Sequence, residues 1–370
     1  MTNLTQKLSK RFFGAGVRVV TLALFLVVFG ASAVLAQTRG YVANLIAGSV
    51  SVIDPVTNTV IATIPVGSGP SSVAVTPNGA FAYVANAGDN TVSVINAATN
   101  TVVATVPVGA TPNGIAITPN GAFAYVVNRN DGTISVINTA TDTVATTITG
   151  IAALPFSVAI TPSGDFAYVT SSSGTVTVID TATNIVVATV AVGNPAGVAI
   201  TPNGAFAYVT SFNTNTVAVI STASNTVVAT VPVGSRPLGV AITPNGAFAY
   251  VTNQLSNTVS VIDTLTNTVV AAVPVGLVPR LLAVDPTGAS VYVPNLGSNT
   301  VSVISTATNT VVATVAVGDG PDAIAFAVIT QGPANKDQCK NGGWQTFTNP
   351  SFKNQGQCIK FVNHMDEHDH

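Results

Sequence analysis

Four residue types are missing from the central part of this chain. Between residues 37 and 330 there is no histidine, glutamate, cysteine or lysine. General acid–base catalysis, nucleophile activation and transition-metal binding draw mainly on these side chains. The same region contains four arginines and ten aspartates. Its net negative charge gives no electrostatic attraction to phosphate backbones or anionic membranes. We therefore expect no catalytic residues, no metal, no cofactor and no nucleic-acid partner.

The sequence does contain a repeat of about 42 residues. Each copy has four short apolar segments separated by turn residues; in the sixth copy, Pro244 and Gly246 suit a hairpin turn before the strand that contains Phe248 and Tyr250. The seven tyrosines mark the copies: Tyr41, Tyr83, Tyr125, Tyr168, Tyr208, Tyr250 and Tyr292. Four antiparallel strands in a repeat of this length are typical of a β-propeller blade. The alternative, a solenoid, needs polar caps, and no terminal repeat is atypical.

The ends of the repeat region predict how the ring closes. The region opens on a second strand near Tyr41 and ends with a lone first strand at residues 323–329. We therefore predict an all-β, seven-bladed propeller over residues 37–330, made of four-stranded antiparallel blades. The last strand joins the first blade, which removes free sheet edges. The channel should be lined by Val, Ala, Ile and Thr from the first strands.

Three segments resemble the YVTN-type β-propeller repeats of prokaryotic surface-layer and exported proteins. They are Tyr-Val-Thr-Asn at 250–253, Thr-Val-Ser-Val-Ile-Asp at 258–263 and Thr-Val-Val-Ala-Thr-Val-Pro-Val-Gly at 226–234. Ser171 and Ser211 depart from this pattern, because they replace the motif's asparagine in blades four and five. The resemblance implies a seven-bladed, exported surface or binding protein, and it brings no catalytic residues.

The N-terminal residues differ from the repeats. Basic residues from Lys7 to Arg18 precede an apolar run that ends in Ala33-Val34-Leu35-Ala36. This pattern predicts a signal peptide over residues 1–36, cleaved after Ala36, and a secreted or cell-surface protein. The alternative is an uncleaved membrane anchor, since the run approaches the length that spans a bilayer.

The C-terminal residues 331–370 form a separate small module in this interpretation. Cys339 and Cys358 are expected to form a disulfide, because the chain is predicted to be exported. The tail holds the only histidines, and they are weak metal candidates: His364, His368 and His370. A solvated terminus is the simpler interpretation of that tail.

The copies differ mainly in one set of loops. Connections between second and third strands and between fourth and first strands share one side of a propeller, here called the loop face; the other connections form the turn face. Loops on a rigid scaffold often carry binding groups, although drift explains the same variation. The candidate binding residues on the loop face are Arg129, Asn130, Asp131, Phe212, Arg236, Arg280, Asp319 and Asp322. On the turn face, Asp54, Asp180 and Asp263 share one repeated position, which indicates turn capping.

These observations favour an exported propeller that serves as a binding or structural scaffold without enzyme activity. Its partner would be a surface protein or a glycan, no membrane span would remain after signal cleavage, and self-assembly into an array stays open. The alternative is a lactonase-like hydrolase or lyase with an aspartate-bound metal in the channel. That alternative predicts aspartates that converge at one channel mouth, whereas the scaffold hypothesis predicts no such cluster.

Overall fold

The computed structural model describes residues 36–330, 339–340 and 353–360. Residues 36–330 form 28 strands in seven four-stranded antiparallel sheets. The predicted seven-bladed β-propeller is therefore confirmed. The proposed signal peptide, apart from Ala36, and the histidine tail lie outside the described residues.

Blade 1 combines the two ends of the propeller, with strand order β28-β1-β2-β3, and blades 2 to 7 each use four consecutive strands. The strands are β1 (Ala36–Asn44), β2 (Ser49–Asp54), β3 (Thr59–Pro65), β4 (Pro70–Val75), β5 (Phe81–Asn86), β6 (Thr91–Asn96), β7 (Thr101–Pro107), β8 (Pro112–Ile117), β9 (Phe123–Asn128), β10 (Thr133–Asn138), β11 (Thr143–Ile148), β12 (Pro155–Ile160), β13 (Phe166–Ser171), β14 (Thr175–Asp180), β15 (Ile185–Ala191), β16 (Pro195–Ile200), β17 (Phe206–Ser211), β18 (Thr216–Ser221), β19 (Thr226–Pro232), β20 (Pro237–Ile242), β21 (Phe248–Asn253), β22 (Thr258–Asp263), β23 (Thr268–Pro274), β24 (Ala283–Val284), β25 (Ser290–Asn295), β26 (Thr300–Ser305), β27 (Thr310–Ala316) and β28 (Pro321–Thr330). Ring closure by β28 pairing with β1 is as predicted.

Burial follows the position of a strand within its blade. Second and third strands such as β21 and β22 are buried along nearly their whole length, because neighbouring blades cover both faces of each sheet. Fourth strands such as β23 are mostly exposed, because they lie at the outer rim. Their Thr and Val residues suit an extended, half-solvated strand.

Tyrosine hydroxyls join each blade to the next on the turn face. Tyr208 Oη donates to Asn267 Oδ1 at 2.7 Å, and Tyr292 Oη donates to Asn58 Oδ1 at 2.9 Å, which closes the ring. Every tyrosine makes this contact, and the acceptors are Asn58, Asn100, Asp142, Asn184, Asn225, Asn267 and Asn309. All seven acceptors have φ between 52° and 57°, a left-handed conformation that Asn and Asp tolerate.

The turn-capping interpretation of the repeated aspartates is also confirmed. Asp54 Oδ1 accepts from the Val56 backbone N at 2.8 Å, and Asp263 Oδ1 accepts from the Leu265 N at 2.9 Å. A backbone hydrogen bond from Thr183 lowers the pKa of Asp180 below its usual value. These carboxylates therefore stabilise turns.

Blade 7 departs from the other blades at its innermost strand. Its regular first strand, β24, has two residues, where the first strands of blades 2 to 6 have six. Pro279 forms an isolated bridge with Asn295, and Leu281 forms a parallel bridge with Ala323 of β28. The start of this strand therefore contacts blade 1 as well as its own blade.

The C-terminal residues that are described contain the predicted disulfide. Cys339 and Cys358 are bonded, with their Cα atoms 5.6 Å apart, and residues 355–360 are helical. Within the described ranges, no helix has the length and apolarity required to cross a membrane.

Candidate functional site

The connections of the loop face brace one another. In the loop that joins blade 5 to blade 6, Ser235 N donates to Ser256 Oγ at 2.7 Å, and Arg236 N donates to Asn215 Oδ1 at 2.8 Å. Each acceptor belongs to the second-to-third loop of one of the two blades. This pattern recurs around the ring, so the loop face is a connected surface rather than a set of free loops.

Each of these loops also holds a residue in a left-handed conformation. The residue before each blade-opening proline has φ between 50° and 67°: Gly69, Thr111, Leu154, Asn194, Arg236, Val278 and Gly320. The left-handed region is unfavourable for branched side chains such as Val278 and Thr111. Strain of this kind is often found at functional sites.

The residue after each opening proline forms what we call the mouth ring, at the loop-face end of the innermost strands. Its members are of seven different types: Ser71, Asn113, Phe156, Ala196, Leu238, Arg280 and Asp322. Sequence reasoning identified only the two charged members. The sequence did contain a sign of the other five, because this position varies between copies while the proline before it does not. They were missed because small and apolar residues are also common in ordinary strands.

Arg280 and Asp322 form the one ion pair among the described residues. Arg280 Nε donates to Asp322 Oδ1, and the Asp322 side chain is 4% exposed against 21% for Arg280. Leu281 N also donates to the Asp322 carbonyl oxygen at 3.0 Å. The pair therefore lies where the irregular first strand of blade 7 meets β28.

The other two arginines of the loop face lie against aromatic rings. The Arg129 guanidinium is 5.7 Å from the centre of the Phe156 ring, and that of Arg236 is 5.4 Å from the Phe212 ring. Such cation–π contacts orient a guanidinium while leaving its N–H groups available. Arg129 and Arg236 are thereby oriented on the loop face.

The remaining candidates contribute to loop structure. Asp131 Oδ2 accepts from the Ala110 N at 2.6 Å, and Asp319 Oδ1 accepts from the Asn299 Nδ2 at 3.0 Å. Asn130 Nδ2 donates to the Thr111 Oγ1 at 2.7 Å. Their binding role stays a prediction, and these contacts alone account for their polar side chains.

The central channel is narrow and has no acidic cluster. A cavity of about 130 Å³ is lined by Val, Leu, Ile, Ala, Ser and Gly from the first strands. The expectation of Val, Ala and Ile is met, but the expected Thr residues are replaced by Ser72, Ser157 and glycines. A Cβ atom on Gly239 would lie 2.8 Å from the Arg280 carbonyl oxygen, so the strands pack too closely for a side chain there.

An aspartate-bound metal does not fit this site. Across the described part of the chain, no three His, Cys, Asp or Glu residues are grouped so as to hold a metal ion. Asp322, which lies at the channel mouth, already has a guanidinium partner. The carboxylate cluster required by a metal-dependent channel site is therefore not formed by these residues.

The two faces differ in charge. The turn face carries one arginine and six aspartates: Arg39, Asp54, Asp142, Asp165, Asp180, Asp263 and Asp285. The loop face carries three arginines and four aspartates: Arg129, Arg236, Arg280, Asp89, Asp131, Asp319 and Asp322. An anionic ligand is therefore repelled less by the loop face, and only there does it meet several guanidinium groups.

Two protein families match parts of the chain. The family described as "Lactonase, 7-bladed beta-propeller" matches residues 46–161, and the "Cytochrome D1 heme domain" family matches residues 118–239. Each match covers about a third of the chain. The comparison with curated proteins finds no match.

Several solved structures resemble the propeller. Kuenenia stuttgartiensis hydrazine synthase is 27% identical with a TM-score of 0.67, and covers 72% of this chain and 92% of its own. A candidate 6-phosphogluconolactonase from Bacteroides uniformis ATCC 8492 is 19% identical with a TM-score of 0.67 and coverages of 79% and 100%. Dihydro-heme d1 dehydrogenase NirN is 16% identical with a TM-score of 0.57, and the match covers 75% of this chain and 63% of that one. The last two likenesses show the fold alone.

These comparisons contradict the prediction of a scaffold without enzyme activity. The match to a lactonase family and the 27% identity to hydrazine synthase favour an enzymatic, ligand-binding propeller, which was the alternative hypothesis. The error has a physical origin. Missing His, Glu, Cys and Lys residues exclude particular mechanisms, but Asp and Arg remain and can carry acid–base and electrostatic catalysis.

A haem ligated by the propeller does not fit either. Iron in haem proteins is held by His, Cys, Met or Tyr, and residues 37–330 contain none of the first three. All seven tyrosines are buried and donate to Asn or Asp side chains of the neighbouring blade. The similarity to the haem-domain family is therefore one of fold for these residues.

Proposed function

We propose that this protein is a hydrolase of lactones whose site lies at the mouth ring on the loop face. The observation that carries the proposal is the Arg280–Asp322 pair, which places a buried carboxylate and a guanidinium side by side, next in sequence to the channel-lining residues Leu281 and Ala323. The match of residues 46–161 to a lactonase family supports the reaction class.

Arg280 has donors to spare for a substrate oxygen. It bonds Asp322 through Nε, and its two Nη atoms form no hydrogen bond with the described residues. Guanidinium N–H groups directed at a carbonyl oxygen would stabilise the negative charge that develops when water attacks a lactone. We assign Arg280 to this role.

Asp322 provides a base. Only its Oδ1 bonds Arg280, and no hydrogen bond with a described residue engages its Oδ2. A carboxylate oxygen in this position can accept a proton from water as the water attacks the lactone carbonyl. The proton can then pass to the alkoxide that leaves when the ring opens, so Asp322 ends the cycle ionised.

Lactone hydrolysis releases acid, so a pH-stat measures it directly. Glucono-δ-lactone and γ-butyrolactone serve as probes with the purified full chain. Asp322→Asn removes the base while preserving shape, and we expect kcat to fall by about 10²-fold or more. Asp165→Asn, an exposed change on the turn face, is the control and should leave the rate unchanged. A chain that hydrolyses neither lactone above the Asp322→Asn rate contradicts the proposal.

We further propose that the repeats are of the YVTN type and that the chain is exported. Tyr-Val-Thr-Asn at 250–253 supports the first statement, and the disulfide supports an oxidising compartment for the second. N-terminal mass spectrometry of protein recovered outside the cytoplasm would test cleavage after Ala36. A surface protein or glycan as partner, and self-association, stay predictions.

A further inference from the structure

The turn face contains a cavity that the proposed catalytic site does not use. It has a volume of about 550 Å³ and lies between blade 7 and blade 1. Residues from both blades line it, including Thr38, Asp54, Ile61, Asp285 and Pro286. This volume is within the range of small-molecule sites.

A missing turn contributes to the opening of the cavity. In blades 3 to 7, the glycine of each first-to-second turn lies beside the proline of the preceding blade; a Cβ on Gly246 would be 3.4 Å from Pro202, and one on Gly288 would be 3.2 Å from Pro244. Pro286 lacks such a neighbour, because the first two strands of blade 1, β28 and β1, come from opposite ends of the propeller. By the residues that the structure describes, the seam is therefore less covered than the interfaces between blades 2 to 7.

The core of the same seam uses a different aromatic ring. The second strands of blades 2 to 6 begin with phenylalanine, and in four of them this ring packs against the core between that blade and the next: Phe81, Phe123, Phe166 and Phe248. Blade 7 has Ser290 at this position. In the core between blades 7 and 1, the packed ring is that of Phe326 from β28, whose centre lies 5.0 Å from the centre of the Tyr292 ring.

A buried carboxylate lies in the cavity. Asp285 is 8% exposed and occupies the position of a threonine in blades 2 to 6: Thr76, Thr118, Thr161, Thr201 and Thr243. Its Oδ1 accepts from Thr287 Oγ1 at 2.6 Å and from Ala289 N at 3.1 Å, and no cation of the described residues lies within ion-pair distance. A buried carboxylate is costly without a positive partner.

The neighbouring groups leave this charge unbalanced. Asp54 lines the same cavity, and burial together with the charges of Asp285 and Asp54 raises the pKa of Tyr292 to about 12. Arg39 also lines the cavity, but its guanidinium donates to the Ala97 carbonyl oxygen of blade 2 at 2.8 Å and forms no ion pair with Asp285. Val56 and Ile61 add exposed apolar surface to the wall.

We propose that this seam cavity binds a small organic cation, an alkylamine with a short apolar body. The ammonium group pairs with Asp285 and Asp54, and the alkyl chain contacts Ile61, Val56 and Pro286. This site is separate from the proposed catalytic site, which lies on the opposite face of the ring.

Isothermal titration calorimetry of the full chain with n-hexylamine tests the proposal, and hexanoate serves as the anionic counterpart. We expect hexylamine to bind and hexanoate not to bind. Asp285→Thr restores the residue found in blades 2 to 6, so the variant should fold. It should weaken hexylamine binding by about tenfold or more. Asp180→Asn, a turn carboxylate in blade 4, is the matched control and should bind hexylamine like the unchanged chain.

Three results would overturn the proposal. They are no heat of binding with hexylamine, equal binding of hexylamine and hexanoate, or undiminished hexylamine binding by Asp285→Thr. Melting curves by circular dichroism show whether each variant is folded. Since lactone hydrolysis is measured separately, failure at this cavity leaves the proposed catalytic site unaffected.

Discussion

The two faces of the propeller use the same repeat in different ways. On the turn face, seven tyrosine hydroxyls make the same contact with seven Asn or Asp side chains, one at each blade interface. On the loop face, the mouth ring has seven side chains of seven different types. The difference shows that repeated contacts on one side hold the ring together, and so the other side is free to vary.

High pH should ionise the tyrosines of the turn face, remove their hydrogen bonds between blades and unfold the propeller. Burial raises the pKa of Tyr125, Tyr208, Tyr250 and Tyr292 from 10.0 to about 12. A pKa that is higher in the folded than in the unfolded state adds stability that is fully present below pH 10 and is lost as the pH rises toward 12. Ultraviolet absorbance of tyrosinate and circular dichroism should therefore change together in this window. Ionisation near pH 10 with an intact fold would contradict the buried contacts.

Asp322→Ala should be the most destabilising single change on the loop face. It leaves the half-buried Arg280 without its partner, and we expect a loss of about 3 kcal/mol in the free energy of unfolding. Urea denaturation measures this loss. Asp165→Ala, which removes an exposed carboxylate, should change the free energy by less than about 0.5 kcal/mol. Equal effects of the two variants would show that the Arg280–Asp322 pair does not stabilise the ring.

Removing single tyrosine hydroxyls compares two kinds of acceptor on the turn face. Tyr83 donates to the Asp142 carboxylate and Tyr208 to the Asn267 amide oxygen, both at 2.7 Å. Bonds to charged groups are stronger, so Tyr83→Phe should lower the free energy of unfolding by about 2 kcal/mol and Tyr208→Phe by about 1 kcal/mol. Neither change should alter a loop-face activity. Urea denaturation measures both losses. A larger loss of unfolding free energy for Tyr208→Phe than for Tyr83→Phe would contradict this expectation.

Val278→Gly should raise the free energy of unfolding, whereas the changes above lower it. Val278 has φ 55° and is partly exposed, so glycine relieves the left-handed strain with little loss of burial. We expect a gain of about 1 kcal/mol in the free energy of unfolding. Asn194→Gly, at φ 50°, should gain less, because Asn tolerates this conformation. A loss of stability in Val278→Gly would mean that the valine side chain has a packing role.

Most of the fold follows from the sequence. The tyrosine spacing predicts the blade count, and the opening on a second strand predicts closure by β28. The irregular start of blade 7 was not predictable, because Leu281 and Leu282 have the composition of an ordinary first strand. Its departure arises from contacts with β28, which sequence patterns do not show.

The candidate site was predicted only in part. Arg280 and Asp322 stood out because charged residues are rare in this chain, but their pairing depends on contact between two blades. Phe156 and Leu238 were missed, because apolar residues are expected in any strand. Asp285 is a departure from the repeat that became meaningful only when the structure placed it in one cavity with Asp54.

Ring closure by β28 has a consequence for how the protein is made. The strand that completes blade 1 is the last strand of the propeller to leave the ribosome, and its partner β1 is the first. Every other blade can assemble from neighbouring residues as the chain emerges, whereas this one must wait while nearly the whole propeller is synthesised. A chain halted anywhere before residue 321 is therefore an open arc with an unpaired edge at β1, and it stays exposed to aggregation and proteolysis until synthesis resumes.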